Sequence, residues 1–356
     1  MNIFSTFVVV VIVLFVVDVI SAEPAATFTP IDSNYDYQNT NTIYSVFTIF
    51  PSNSSVPYTM FTIFPSNDGC GVTIETSPPN LVTVNSVFRG HLMFEWNKDV
   101  SSAATSGGSV RIGIPSDRLK GVRLNGGHNV QIVEGFTNIY SLQISPNVEY
   151  NPFKTNNSAT IRASMMSLPD STDLELLNDG GQMYVQTNVP VAFGSVTYGG
   201  QSWIETPSLN CMVCFGKSAP ELHIKGDVDA CVNFNLIRSG HLRNGAQLTV
   251  TGTISGKIHS NENSTVNAPS CDNVISTNGS TCNAGPQSVD VDVGDLSQNS
   301  QILTGTYKCG EDSSSSPDSS PDSDSASVMP SYFAAIVAAV VAVAVAVSIT
   351  TTTTMI

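Results

Sequence analysis

Between Ala25 and Cys309 apolar residues alternate with polar ones over short runs, and glycine or Pro-Asn turns interrupt the runs at short intervals. Helical periodicity is nearly absent there, so the pattern predicts an all-β chain of short, half-buried strands. In ELHIKGDVDA and the residues after it, alternation places Leu222, Ile224, Val228, Ala230, Val232, Phe234 and Leu236 on one face. His223, Lys225, Asp227, Asp229 and Asn233 fall on the other, so one face is core and the other is wet. QLTVTGTISG repeats the pattern Leu-x-[Ile/Val]-x-Gly-x-[Val/Ile]-x-small 26 residues later, and Val122–Val130 is a looser copy with His128 at the second aliphatic position. A recurring strand with a glycine at the bend, spaced by about one coil, predicts coils stacked on a shared interior: a β-solenoid. The alternative is a β-sandwich whose strands share a look. A stack of coils needs capped ends, and the region before Leu119 and the cysteine-rich end near Cys309 are placed to serve.

A second duplication lies earlier. FTIFPSN occurs at Phe47–Asn53 and again at Phe61–Asn67, 14 residues apart. In each copy Pro-Ser-Asn ends a strand, with Phe47 and Ile49 on one face and Thr48 and Phe50 on the other. The hairpin-sized spacing predicts two neighbouring short strands.

The two ends read differently. Residues 1–22, apolar from Phe4 to Ile20 and then Ser21 and Ala22, have the form of a secretory signal peptide. A linker over 23–44 and an N-terminal β region over 45–118 follow, and the solenoid is expected over 119–310. Residues 311–331 are rich in Ser, Pro and Asp, with five acids and no base from Glu311 to Ser327, which predicts a disordered, self-repelling stalk. Residues 332–349 are almost wholly Ala and Val, about 27 Å if helical at 1.5 Å per residue. No Lys or Arg follows, and small residues at Ser323, Asp324 and Ser325 precede a short spacer. That is the form of a glycolipid (GPI) anchor signal, the alternative being a retained transmembrane helix. In either case the protein is expected on the extracellular face of the plasma membrane.

Composition sharpens this picture. The net charge is −15 and the pI near 4.5, which argues against nucleic acid or anionic lipid as the main partner. Sequons at Asn53, Asn156, Asn263 and Asn278 suit a lumenal, glycosylated chain. Seven cysteines fit disulfides in an oxidising compartment. Cys271 and Cys282 bracket a polar loop and are the first pair expected. Cys211 and Cys214 form a CxxC for which no second CxxC or spaced His pair completes a metal set, so a local bridge, or bridges to other cysteines, is expected there.

The segments SDRLKGVRLNGGHNVQIVEGF, ELHIKGDVDA, QLTVTGTISG, STVNAPSCDNV and SVDVDVGDLSQNSQILTGTYKCG together resemble the auto-transporter adhesin head GIN domain, over roughly Ser116 to Gly310. The resemblance implies a right-handed β-solenoid displayed at the cell surface, an adhesive or envelope role, and no catalytic residue to carry over.

Candidate chemistry is sparse. No G-x-S-x-G elbow, HExxH, phosphate-binding loop or dinucleotide fingerprint is present, and no metal site or cofactor is expected. Asp227 with Asp229, and Asp290 with Asp292, put carboxylates about 6.5 to 7 Å apart on a strand face. Such pairs suit a glycosidase, a polysaccharide lyase or part of a calcium shell, but equally a solvated face with valine turned inward. His91, His128, His223, His241 and His259 stand one per segment and read as lone surface or turn residues. Arg238, His241 and Arg243 form a basic island that could grip an anionic polysaccharide. The favoured expectation is a non-enzymatic, membrane-anchored surface or matrix protein making weak contacts with polysaccharide. A polysaccharide-active enzyme, or calcium-dependent self-association in the envelope, is the alternative.

Overall fold

The computed structural model describes residues 29–30, 44–48, 59–66, 72–86, 91–97, 108–125, 128–145, 159–216, 218–232 and 239–294. They belong to one compact unit, Met1–Cys309, separate from Gly310–Ile356. The expected signal peptide, stalk and tail, with Asn53, Asn156, Arg238, Cys70 and Cys309, lie outside the described residues.

Every described element is a strand, and the chain passes alternately between two parallel stacks. From Leu119 onward the first stack runs Leu119–Asn125, Ser141–Ser145, Leu174–Asp179, Val191–Thr197, Met212–Phe215, Gly240–Leu242, Ile258–Ser260, Val274–Ser276. The second runs Asn129–Ile132, Thr160–Met165, Gln182–Thr187, Gln201–Leu209, Glu221–Val228, Gln247–Val250, Thr265–Ala268, Thr281–Ala284. One strand from each stack makes a coil. Leu222 pairs with Leu248, so the 26-residue sequence repeat is one coil of this stack.

Alternation turns one side of each stack onto a common core. Val130, Ile161, Met183, Leu222, Leu248 and Val266 of the second stack and Leu124, Ile144, Val196, Cys214 and Leu242 of the first are buried in a single cluster. Each such side chain contributes about 1.5–3 kcal/mol by leaving water. The segment Thr160–Leu209, in which the Leu-x-Ile-x-Gly pattern is not apparent, is built in the same way.

The repeat's glycines answer a steric demand. At Gly226 the strand shifts register against Glu205–Ser208, φ is +150°, and a Cβ would stand 1.9 Å from the Thr206 carbonyl oxygen. One coil on, a Cβ at Gly252 would stand 2.5 Å from the Gly226 carbonyl oxygen, to which the Gly252 N–H donates. Stacked glycines therefore let the bend repeat. The expected inward run holds as far as Ala230, which is buried; positive φ at Ala230 and Cys231 then turns the chain, and Val232 is 57% exposed, while Phe234 and Leu236 lie outside the described residues.

The FTIFPSN duplication departs from the expected pair of neighbouring strands. Tyr44–Thr48 lies in the first stack between His91–Trp96 and Leu119–Asn125, and Thr59–Ser66 lies in the second between Gly108–Pro115 and Asn129–Ile132. Each is already flanked on both sides, so the copies supply the two strands of one coil. The same stacks are closed at this end by antiparallel strands: Val82–Ser86 on His91–Trp96, and Thr73–Ser77 on Gly108–Pro115, followed by Thr29–Pro30. The region before Leu119 thus contributes both a coil and a cap.

Polar residues are buried within the fold, Asn178 and His128 among them. Asn178, 1% exposed, donates to the Gly181 and Gln201 carbonyls and to Ser202 Oγ at 2.9–3.1 Å, and accepts from the Gly181 N–H at 2.9 Å. It ties the turn between the stacks to the next coil. Asn178→Leu should lower unfolding stability by about 2–4 kcal/mol, because buried backbone groups lose their partners; the midpoint of urea unfolding checks this. His128 is buried edge-on to Phe61, and burial lowers its pKa to about 4 from 6.5. Below pH 6.5 the unfolded chain takes up a proton that the folded chain refuses, so this residue's destabilisation grows as pH falls and is complete below about pH 4. It amounts to about 3 kcal/mol. His128→Leu should flatten the fall in melting temperature over that window.

Candidate functional site

Parallel pairing in register brings equivalent side chains of successive coils to about 4.8 Å. On the outer face of the second stack this produces three columns. The central one is Gln131, Arg162, Tyr184, Trp203, His223, Thr249, Asn267, Asn283. Tyr184 and Trp203 stack with centroids 4.6 Å apart and planes 3° apart, Trp203 and His223 at 5.3 Å and 15°. The Arg162 guanidinium closes one end, 4.6 Å over the Tyr184 ring. At the other end the Asn283 amide donates to Asn267 Oδ1 at 2.9 Å. Ring stacking fits here because its optimum lies close to the strand spacing.

Ladders flank the aromatic column. On one side Gln182 donates to Gln201 at 3.3 Å and Gln201 to Glu221 at 3.1 Å, with Gln247, Thr265 and Thr281 continuing the column. On the other Gln186 donates to Glu205 at 3.1 Å, and Lys225 pairs with Glu205 at 2.9 Å. Trp203 has ring neighbours on both faces, so its exposed portion is an edge. The face is suited to hydrogen bonding at ring edges and amides, not to stacking a flat ligand on the indole.

An extended arm crosses this face along the stack. Gly285 still bonds to Ala268 at the last coils, and a Cβ at Gly294 would stand 3.7 Å from Arg162 Cδ and 3.9 Å from Gln131 Nε2. Between them Val291 is buried, Val289 and Val293 are half-buried, and Ser288, Asp290 and Asp292 are exposed. Burial, with the Asp292 carboxylate nearby, raises the Tyr184 phenol pKa against the opposing charge of Arg162. Asp290 and Asp292 therefore face out with valine in, as alternation predicts, but on an arm that lies across the strands.

The other candidates are dispersed. Asp227 accepts from the Thr253 N–H at 2.7 Å and its hydroxyl at 3.0 Å, which fixes one coil bend to the next. His241 and His259 stack at 5.6 Å on successive coils of the first stack, and Ser239 Oγ lies 3.1 Å from His241 Nε2. Burial, then the charges of His259 and Arg243, lowers the His241 pKa, which favours the uncharged ring beside Arg243. His223, His241 and His259 are thus members of stacks, and His128 is core. The linear spacing of histidines conceals this, because their neighbours are one coil away. Among the described residues no cluster of three metal-ligating side chains occurs, and no helix is long and apolar enough to cross a membrane.

The cysteines obey the same geometry. Cys211 bonds to Cys231 at equivalent corners of adjacent coils, and Cys271 bonds to Cys282 within the last coil. Cys214, expected with Cys211 as a bridging residue, is instead a buried free thiol in the core column, 3.6 Å from the Pro220 carbonyl. Burial raises its pKa. Asn263 and Asn278 sit at positive φ in turns of successive coils, and the Asn278 amide donates to Asn261 Oδ1 at 2.7 Å.

No protein-family model matches the chain, and no curated protein matches it. Among solved structures it is similar to a protein of Bacteroides fragilis NCTC 9343 described as a "putative adhesin". The identity is 9% and the TM-score 0.35, over 73% of this chain and 97% of that one. A likeness of this degree assigns neither fold nor function.

Trp203→Leu removes two ring contacts at once and should lower stability by about 1–3 kcal/mol, while Trp203→Tyr should keep most of it. Urea midpoints of the two variants test the contribution of the stack.

Proposed function

We propose that this chain is a non-enzymatic, glycosylated protein of the cell surface or extracellular matrix. Its right-handed β-solenoid is held outward by an acidic stalk and a C-terminal lipid or peptide anchor. Its work is contact: adhesion, or cohesion of the envelope, through weak hydrogen bonds to polysaccharide. The observation that carries this reading is the outer column Gln182, Gln201, Glu221, Gln247, Thr265, Thr281, which offers one polar side chain per coil at a constant repeat. A row of equivalent groups suits a polymer with equivalent groups of its own, and gains by avidity what each contact lacks. The cystines Cys211–Cys231 and Cys271–Cys282 suit a chain that matures in an oxidising compartment.

Glycan arrays provide the direct test. Purified ectodomain should bind polysaccharide weakly as single molecules, and at least about 100-fold more tightly when displayed on beads. Equal affinity in both formats, or no binding in either, would sink the avidity mechanism. Treating intact expressing cells with phosphatidylinositol-specific phospholipase C should release the ectodomain. Retention, with a control protein released, would point to a spanning tail.

A further inference from the structure

We propose that the arm Pro286–Gly294 is exchangeable: in a pair of copies, each arm lies on the Tyr184–Trp203–His223 face of the other. The face accepts a particular chemistry. It takes an extended segment that presents Val289, Val291 and Val293 downward, keeps Asp290 and Asp292 in water, and sets Gly294 beside Arg162. A second copy carries the same face and the same arm, so the fit is already built.

The manner of attachment favours exchange. The arm pairs in no β-ladder and runs across the strands. Its path matches its length. From the last strand, Thr281–Ala284, to Gln182–Thr187 is five strand spacings, about 24 Å, and eight extended residues from Ala284 to Asp292 span about 26 Å. There is almost no slack. The arm pivots at Gly285, whose φ is +153° and whose Cβ position has nothing within 4 Å, and Pro286 follows directly. A Gly-Pro pivot in open space, ahead of a taut arm held by side chains, can swing outward while the last coil stays paired, that coil losing only the tether the arm supplies until the partner's arm replaces it. Exchange then recreates each contact in trans, with loss of one copy's independence as its main cost.

The proposal does not depend on the adhesive reading, and its test is a hinge deletion. Full-length chain lacking Pro286 and Gln287 has an arm too short to reach its own face in the same register. Sedimentation should find it dimeric, with a dissociation constant at least about tenfold tighter than that of the unaltered chain. Adding Val291→Asp to the deletion should return it to monomer, with the β-strand circular dichroism and the Cys271–Cys282 bond intact. A deleted chain that stays monomeric at all concentrations, or a dimer indifferent to Val291→Asp, would overturn the exchange. Should the deletion unfold the last coil, unaltered chains bearing two different tags decide the matter after mixing at high concentration. Co-purification of the tags with sensitivity to Val291→Asp supports exchange, and separate recovery overturns it.

Discussion

Parallel pairing in register is the constraint on which everything else depends. Once Leu222 is opposite Leu248, His223 must be opposite Thr249 and Ile224 opposite Val250, and a slip of one residue would turn a whole strand inside out. Each column is therefore a single environment sampled once per coil. Gly226 needs a glycine after it at Gly252, Tyr184 acquires an aromatic neighbour at Trp203, and Cys211 finds Cys231 at the same corner one coil on.

The same constraint penalises wrong residues. Like charges one strand spacing apart repel, and an exposed column cannot separate them, because the backbone fixes the distance. The outer columns respond by interleaving amides with carboxylates: Gln182 and Gln201 lead to Glu221, and Glu205 stands between Gln186 and Lys225. An acidic chain thereby keeps this face close to neutral, with its carboxylates accepting hydrogen bonds. The aromatic column is a further solution, since stacked rings prefer a separation that parallel strands already impose.

Features local in the sequence were legible there, and features one coil apart were not. Alternation over Leu222–Val228 gave the inward face, the glycines of the two matching decapeptides gave the bend, and the loop from Cys271 to Cys282 gave a bridge. The stack of Tyr184 on Trp203 on His223 was hidden because these residues lie 19 and 20 positions apart, in coils of unequal length. Coil length sets the register and varies with each corner, so no fixed period reveals it. The FTIFPSN copies misled for a related reason. Their 14-residue spacing suits a hairpin, but half a coil has a similar length, and pairing with Leu119–Asn125 and Asn129–Ile132 decides between the two. The arm 286–294 reads as one more alternating strand, and only its tertiary position separates it from one.

That arm changes the energetics of the stack. In a chain of repeats each coil touches its two neighbours, so stability propagates by nearest-neighbour contacts and an end can fray by itself. The arm crosses the intermediate coils and links the last ones to those of Tyr184 and Arg162, and Val291 is buried only while the strands beneath it keep their register. Fraying at Thr281–Ala284 must then release side chains docked several coils away. A local opening is thereby coupled to a larger one, which raises its cost and makes the C-terminal half of the stack behave more nearly as one unit. The Cys271–Cys282 bond acts at the same end by closing the last coil on itself. Among the described residues Thr281–Ala284 is paired on one side; a strand paired on one side is prone to edge growth, and these two devices keep it in place by fixing the coil that carries it.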